Sequence, residues 1–309
     1  MKIIQITCLI ILAKFLNGAN ILNGGGFDGN LNANKLRNTF GYSATTSDLI
    51  LNKQNINSVD SATFIGFNNL VYLNLANNKI SSINNAVSNA VSLFTLDLSY
   101  NQLQSISVTT FANLTNLNVL NLVYNQITSI DVNAFQNLNS LKSLFLTFNK
   151  LGSIDPSLFT NLNKLQILSV ASNGLTSLSP ATFKKLTNLQ VLYLTGNRFV
   201  TTLDSNLFSS LINLQKLYLQ SCQIVSLPTG LFGNLANLLA LHLEYNNLDM
   251  LNSGTFIGLV QIQQIYLNNN VISTCGDIFY PFTKLQVLDI RNNPVSSQFK
   301  SFFNASFPL

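Results

Sequence analysis

Apolar and polar positions alternate in a fixed frame along most of this chain. In "LNVLNLVYNQITSI", residues 117–130, apolar side chains stand at Leu117, Leu120, Leu122, Ile127 and Ile130, with Asn125 among them. The stretch "LKSLFLTFNKLGSI" repeats the pattern 24 residues later, with Asn149 in the same slot. The frame L-x-x-L-x-L-x-x-N-x-L recurs in ten complete copies, from Leu70, Leu93, Leu117, Leu141, Leu165, Leu189, Leu214, Leu238, Ile262 and Leu285, at steps of 23 to 25 residues. An imperfect copy starts at Thr46, with Leu49, Leu51, Gln54 and Ile56 in frame. Leu-x-Leu alternation has the period of a strand with one buried face. A unit this short cannot bury its own apolar face, so neighbouring copies must cover one another. The pattern therefore predicts a stacked array of short parallel strands over residues 46–309.

Two further slots support stacking. The ninth slot holds Asn78, Asn101, Asn125, Asn149, Asn173, Asn197, Asn246, Asn270 and Asn293, and Cys222 replaces asparagine in the remaining complete copy. A buried amide must be fully hydrogen-bonded. Each asparagine is expected to tie the turn after its own strand to the backbone of the next copy, making a ladder. In the second half of the unit Phe recurs at Phe64, Phe111, Phe135, Phe159, Phe183, Phe208, Phe232, Phe256 and Phe279, with Val87 in one shortened copy. These rings predict a second ladder on the wider, outer side of a curved coil.

On these slots the chain resembles the leucine-rich repeat family, and in particular its extracellular type with 24-residue repeats. Pro156, Pro180 and Pro228 also fall where such repeats often carry proline. The resemblance implies an α/β horseshoe solenoid: a parallel sheet on the concave face, and irregular, 3-10 or short helical returning segments on the convex face. It further implies recognition of a protein or glycan in adhesion, signalling or innate immunity. The alternative is a structural or surface-coat protein that self-associates through an open solenoid end. Secreted animal members commonly close both ends with disulfide-bonded caps, and this sequence lacks the cysteines for them. Residues 20–45, rich in Gly and Asn, are left to cover the first repeat. At the other end Gln298 occupies an apolar slot, and Phe302 or Phe303 can complete the Phe ladder.

The N-terminus reads "MKIIQITCLIILAKFLNGA". Lys2 followed by an apolar stretch over residues 3–13 is the pattern of a signal peptide, assigned here to residues 1–19. That stretch is too short to span a bilayer, and no later segment is long and apolar enough to do so. A secreted chain with no membrane span is expected. Of three cysteines, Cys8 lies in that segment. Cys222 and Cys275 lie two repeats apart, roughly 10 Å by strand spacing, which is beyond bridging distance. Two free, buried thiols are expected.

Charged residues are 9% of the chain, and the formal charge is +5. Loss of Lys2 and Lys14 with the signal segment leaves about +3, too little and too scattered for nucleic acid. No cofactor or metal is called for, and the chain is read as non-enzymatic. "GGGFDG" at 24–29 lacks the strand, helix and acid of a dinucleotide site. "DGNLNAN" at 28–34 has Ala33 where a calcium loop needs Gly. His242 and Glu244, the lone histidine and the lone glutamate, share a strand face but have no second histidine or converging nucleophile. Sequons stand at Asn113 and Asn304.

The fifth slot of each copy is expected to point out of the concave face. It reads Ile50, Asn74, Asp97, Asn121, Phe145, Ser169, Tyr193, Tyr218, His242, Tyr266 and Asp289. Tyr193 to Tyr266 form four rings in consecutive copies. Tyr100, Tyr124 and Phe148 make a second row in the eighth slot, and Tyr245 joins the first group. These eight residues and Phe145 of the fifth slot are the candidate ligand surface, on the expectation that the rings are exposed and that removing Tyr193 and Tyr218 costs binding but not stability. The charges around them, Asp97, Lys142, Lys216 and Glu244, are sparse and mixed, predicting a ligand without strong net charge.

Overall fold

A computed structural model describes residues 29–39, 41–200, 203–274, 278–279 and 281–295. The signal segment, residues 20–28, Cys275, Gln298, Phe302, Phe303 and Asn304 lie outside the described residues.

Eleven three-residue strands form one parallel sheet, stacked in chain order from Asp48–Ile50 to Val287–Asp289. The register steps one repeat at a time: Leu120 pairs with Leu144, Leu144 with Leu168, and Leu168 with Leu192. Every fourth-slot residue from Leu49 to Ile265 is fully buried. The returning segments are mostly turns, with short 3-10 helices at Ala86–Asn89 and Pro180–Phe183. The second of these starts as its sequence dictates. Ser179 accepts a hydrogen bond from the Ala181 amide, and Pro180, which has no N–H to waste, takes the first helical position. No helix among the described residues is long and apolar enough to cross a membrane.

Curvature follows from the two ring ladders. Adjacent rings on the sheet face lie 4.3–4.5 Å apart. On the returning side, Phe111–Phe135, Phe183–Phe208, Phe208–Phe232 and Phe232–Phe256 lie 6.2–6.4 Å apart. Hydrogen bonding fixes the strand spacing, while the bulk of a buried phenyl spreads the other side. The sheet is thus concave and the phenylalanines fill the convex half.

At the N-terminal end, Asn30–Leu31 pairs in parallel with Ser58–Val59, and a π-helical turn follows at Lys35–Thr39. Leu31 and Leu36 are fully buried against the first repeats, so this segment covers the apolar end of the coil. Arg37 donates to the Ile65 carbonyl at 2.5 Å and lies 5.4 Å from the Phe67 ring centroid.

The asparagine ladder is present, but it runs the other way from the expectation. Asn125 donates to the carbonyls of Leu98 (3.0 Å) and Leu122 (3.1 Å), and its Oδ1 accepts from the Leu103 amide at 3.0 Å. Leu98 and Leu103 belong to the preceding repeat, not the next. The amide follows its strand in the chain, and the turn it must fill is the one already laid down beneath it. Gln54 stays out of the ladder. Its side chain reaches the nearby Asn52 carbonyl, while its backbone amide donates to Asn78.

Cys222 takes over only the donor half of the amide's task. Its thiol donates to Leu194 (3.2 Å) and Gln220 (3.4 Å), but no side-chain carbonyl replaces Oδ1. The chain compensates with the Phe199 amide, which donates to the Cys222 main-chain carbonyl at 2.9 Å. Cys222 is free and buried, and burial pushes its thiol up to about 12.

Candidate functional site

The eighth slot sets the geometry of the strand-end rim. Its residue has φ between 51° and 72° in all eleven copies, from Lys53 through Asn292. This left-handed conformation turns the chain away from the sheet, and asparagine and glycine suit it best. Asn77, Gly196, Asn269 and Asn292 fit that preference, whereas Tyr100, Tyr124, Phe148 and Tyr245 do not. Tyr100 stacks on Tyr124 at 4.5 Å, and Tyr124 on Phe148 at 4.3 Å, with ring planes within 17° of parallel. Tyr100 is 49% exposed, Tyr124 39% and Tyr245 60%.

The fifth-slot row is assembled in the expected register, Tyr193 beside Tyr218, Tyr218 beside His242 and His242 beside Tyr266. Its exposure differs from the expectation. Tyr193, Tyr218, His242 and Phe145 are buried at 4–7% exposure, and only Tyr266 is half-exposed. Stacking at 4.4–4.5 Å covers both faces of the inner rings. Ala171, Ile167 and Val191 close around Tyr193 and Tyr218 to form a small second core on the sheet face. The tyrosines also share a hydrogen bond, and burial, with the neighbouring Tyr193 and Glu244, holds the Tyr218 hydroxyl well above its ordinary range. Burial and Glu244 raise Tyr266 as well. His242 Nδ1 lies 3.1 Å from Glu244 Oε1. With its ring sandwiched between two tyrosines, the histidine sits in a packed layer.

Elsewhere the fifth slot serves the backbone. Asn74, Asp97, Asn121 and Asp289 each accept from the amide two residues on, at 2.9–3.1 Å. Asp97 also accepts from the Ser99 hydroxyl at 2.6 Å, while burial raises its carboxyl. Arg291 grips Asp289 at both oxygens and lowers its carboxyl. Asn113 is exposed on the returning segment, as is Thr115 of its sequon, while Leu114 between them is buried.

The opposite rim, where the strands begin, carries a feature with little signal in the sequence. Side chains on either side of the first frame leucine, such as Asn188 and Gln190 around Leu189, line a groove along the edge of the sheet. The recurring pair Leu-Gln at 165–166, 189–190 and 214–215, twice preceded by Asn, is its sign in the sequence.

Family models described as leucine rich repeat match residues 45–103, 92–151, 139–199 and 212–272, and a single-repeat model of that name matches 188–211. No curated protein sequence matches the chain. Among solved structures, a leucine-rich repeat protein of Leptospira interrogans is 25% identical, with a TM-score of 0.75 over 85% of this chain and 70% of its own. An internalin of Listeria monocytogenes is 26% identical, with a TM-score of 0.66 over 81% of this chain and 68% of its own. The repeat domain of FLRT2 shares the fold at 24% identity, with a TM-score of 0.74 over 87% of this chain and 83% of its own. With its repeats matched over more than half its length and folded as one ladder-bonded parallel solenoid, the chain belongs to the leucine-rich repeat family.

Proposed function

We propose that this chain is a secreted, non-enzymatic recognition protein that binds a protein partner on its concave side, with the ring stack of exposed Tyr100 and Tyr124 and half-buried Phe148 as anchor. The observation that carries this reading is the cost of those rings. A non-glycine residue in the left-handed region is disfavoured by about 1–2 kcal/mol, and the other copies use smaller or more flexible residues there: Asn77, Asn269 and Asn292, Gly196, Ser172 and Ser221, and Lys53. Stacking offsets part of that cost, at about 0.5–1.5 kcal/mol per pair. Three adjacent stacked aromatics kept in such a place, two of them open to solvent, have the character of an interface hot spot. Tyr245 adds a further exposed ring on the same rim.

The fold suits this role. FLRT2 is held in an octameric complex with Latrophilin 3 and Unc5D, and Toll in a complex with Spatzle. TLR13, a further neighbour, is in complex with a single-stranded RNA. The low charge of the present chain argues against that ligand class, because phosphate binding needs clustered Lys and Arg. Secretion rests on Lys2 and the apolar stretch at 3–13, and the exposed Asn113 sequon fits an extracellular chain.

The test is capture of a partner by the tagged protein from extracellular extracts, followed by titration. Tyr124→Ala is expected to weaken binding by about 2 kcal/mol or more, with modest dependence on salt. Unchanged affinity in Tyr124→Ala and in Tyr100→Ala would remove the ring stack from the site.

A further inference from the structure

The rim where the strands begin carries a second, independent site, and we propose that it holds an extended neutral polysaccharide chain, about one sugar unit per repeat. The groove encloses about 480 Å³ and runs along successive repeats. That volume is within the usual range for ligand sites. It is lined by Gln166, Gln190 and Gln215, by Asn188, Asn213 and Asn237, and beyond them by Leu239 and Gln261, with no charged side chain among them.

The hydrogen-bonding capacity of these amides is divided in a regular way. Asn188, Asn213 and Asn237 are each anchored by an NH₂ bond to a main-chain carbonyl of the preceding repeat, at 2.7, 2.9 and 2.9 Å. Their side-chain oxygens are left as fixed acceptors. The side-chain amides of Gln166, Gln190 and Gln215 make no hydrogen bond among the described residues, so each offers donors and an acceptor. The Leu189 and Leu214 rungs therefore each present one anchored acceptor beside one adaptable donor–acceptor group, about 4.8 Å apart, while the flanking rungs add Gln166 on one side and Asn237 on the other.

A ligand that fits this row must itself repeat, must both donate and accept, and must lack net charge. The hydroxyls of a neutral glycan meet all three conditions. An extended peptide does not, because the backbone edge it would need is already occupied. The Gln166 carbonyl accepts from Gln190 and Val191 (2.8 and 3.0 Å), and the Gln190 carbonyl from Gln215 and Lys216 (2.8 and 3.0 Å). The central rungs at Gln190 and Gln215 carry no counter-charge for nucleic acids or acidic glycans in the groove; lysines stand at its two ends, Lys284 tied to Gln261 at 2.5 Å and Lys164 beside Gln166. The rim continues into a further hollow lined by Phe94, 47% exposed and able to pack on the C–H side of a sugar, and by Lys142 and Lys164.

The experiment titrates the full mature chain with cellohexaose, laminarihexaose, mannohexaose and chitohexaose, with heparin as the charged comparison, by calorimetry at low and high salt. At least one neutral hexaose is expected to bind with an affinity that salt leaves unchanged. The double variant Gln190→Ala, Gln215→Ala, which removes both amides without adding charge, should weaken that binding at least tenfold while unfolding at the same midpoint as the parent. Tyr124→Ala should bind the glycan normally, which separates this site from the ring-stack interface. Binding of none of the four, equal binding by the double variant, binding of heparin alone, or loss of glycan binding in Tyr124→Ala would each overturn the proposal.

Discussion

Two asparagines in the same slot of adjacent repeats should differ sharply in what they contribute to stability. Asn149 donates to Leu122 (3.0 Å) and Leu146 (2.9 Å), and accepts from the Ile127 amide at 3.0 Å. Both carbonyls are shared, since Leu122 also receives Asn125 and Leu146 also receives Asn173. Truncating Asn149 to alanine therefore leaves each carbonyl one donor, but leaves the buried Ile127 amide none. An orphaned buried amide costs about 1–3 kcal/mol and a lost shared bond adds about 0.5 kcal/mol, so Asn149→Ala should destabilise by about 2–3 kcal/mol. Asn173 differs on one point. Near Leu151 the chain is displaced, the Gly152 amide donates to the Asn173 main-chain carbonyl at 3.0 Å, and Asn173 Oδ1 is buried without a partner. Asn173→Ala orphans no amide, removes an unsatisfied oxygen, and should cost about 1 kcal/mol from its lost donor bonds. Burial alone would rank them in reverse, because Asn173 is 2% exposed and Asn149 7%. Urea unfolding followed by circular dichroism measures both, compared at matched slopes. Equal losses, or the larger loss at Asn173, would refute the accounting of the ladder bond by bond.

The remaining predictions concern the rings and the thiol. Tyr218→Ala should lower stability by about 3 kcal/mol or more, because it empties a buried, doubly stacked site, whereas Tyr245→Ala should stay within about 0.5 kcal/mol as a surface change; thermal unfolding of the two variants checks the order. Cys222 should resist alkylation in the native protein, and its stability effect should appear on the alkaline side. The thiol ionises near 9.0 when unfolded and only near about 12 when folded, so the unfolded chain holds fewer protons between these values and stability falls as pH rises through them. At about pH 10 this amounts to roughly 1.4 kcal/mol, and Cys222→Ser should lose that slope; a parent and variant with identical alkaline profiles would contradict it.

The repeat frame alone determined which side chains face the core, which face the concave side, and which stand beside one another across strands. Those relations depend only on the period of two along a strand and the step of about 24 residues between strands, and both are written in the chain. The stacked row from Tyr193 to Tyr266 was therefore legible, and so was the place of Cys222 in the asparagine ladder. Exposure was not legible in the same way. Whether Tyr218 is open or covered depends on residues on three sides of it: Tyr193 and His242 across the sheet, and Val191 and Ala171 beside it. A tyrosine at the rim, such as Tyr245 between Ser221 and Asn269, has no such cover. Only the tertiary structure also decided the direction of the amide ladder, because hydrogen-bond valence says that Asn125 must be satisfied but not by which neighbour. The same holds for the rerouted amides of Gly152 and Phe199, and for the groove at Gln190 and Gln215. Each is produced when adjacent rungs come into register, and no single copy of the repeat contains it.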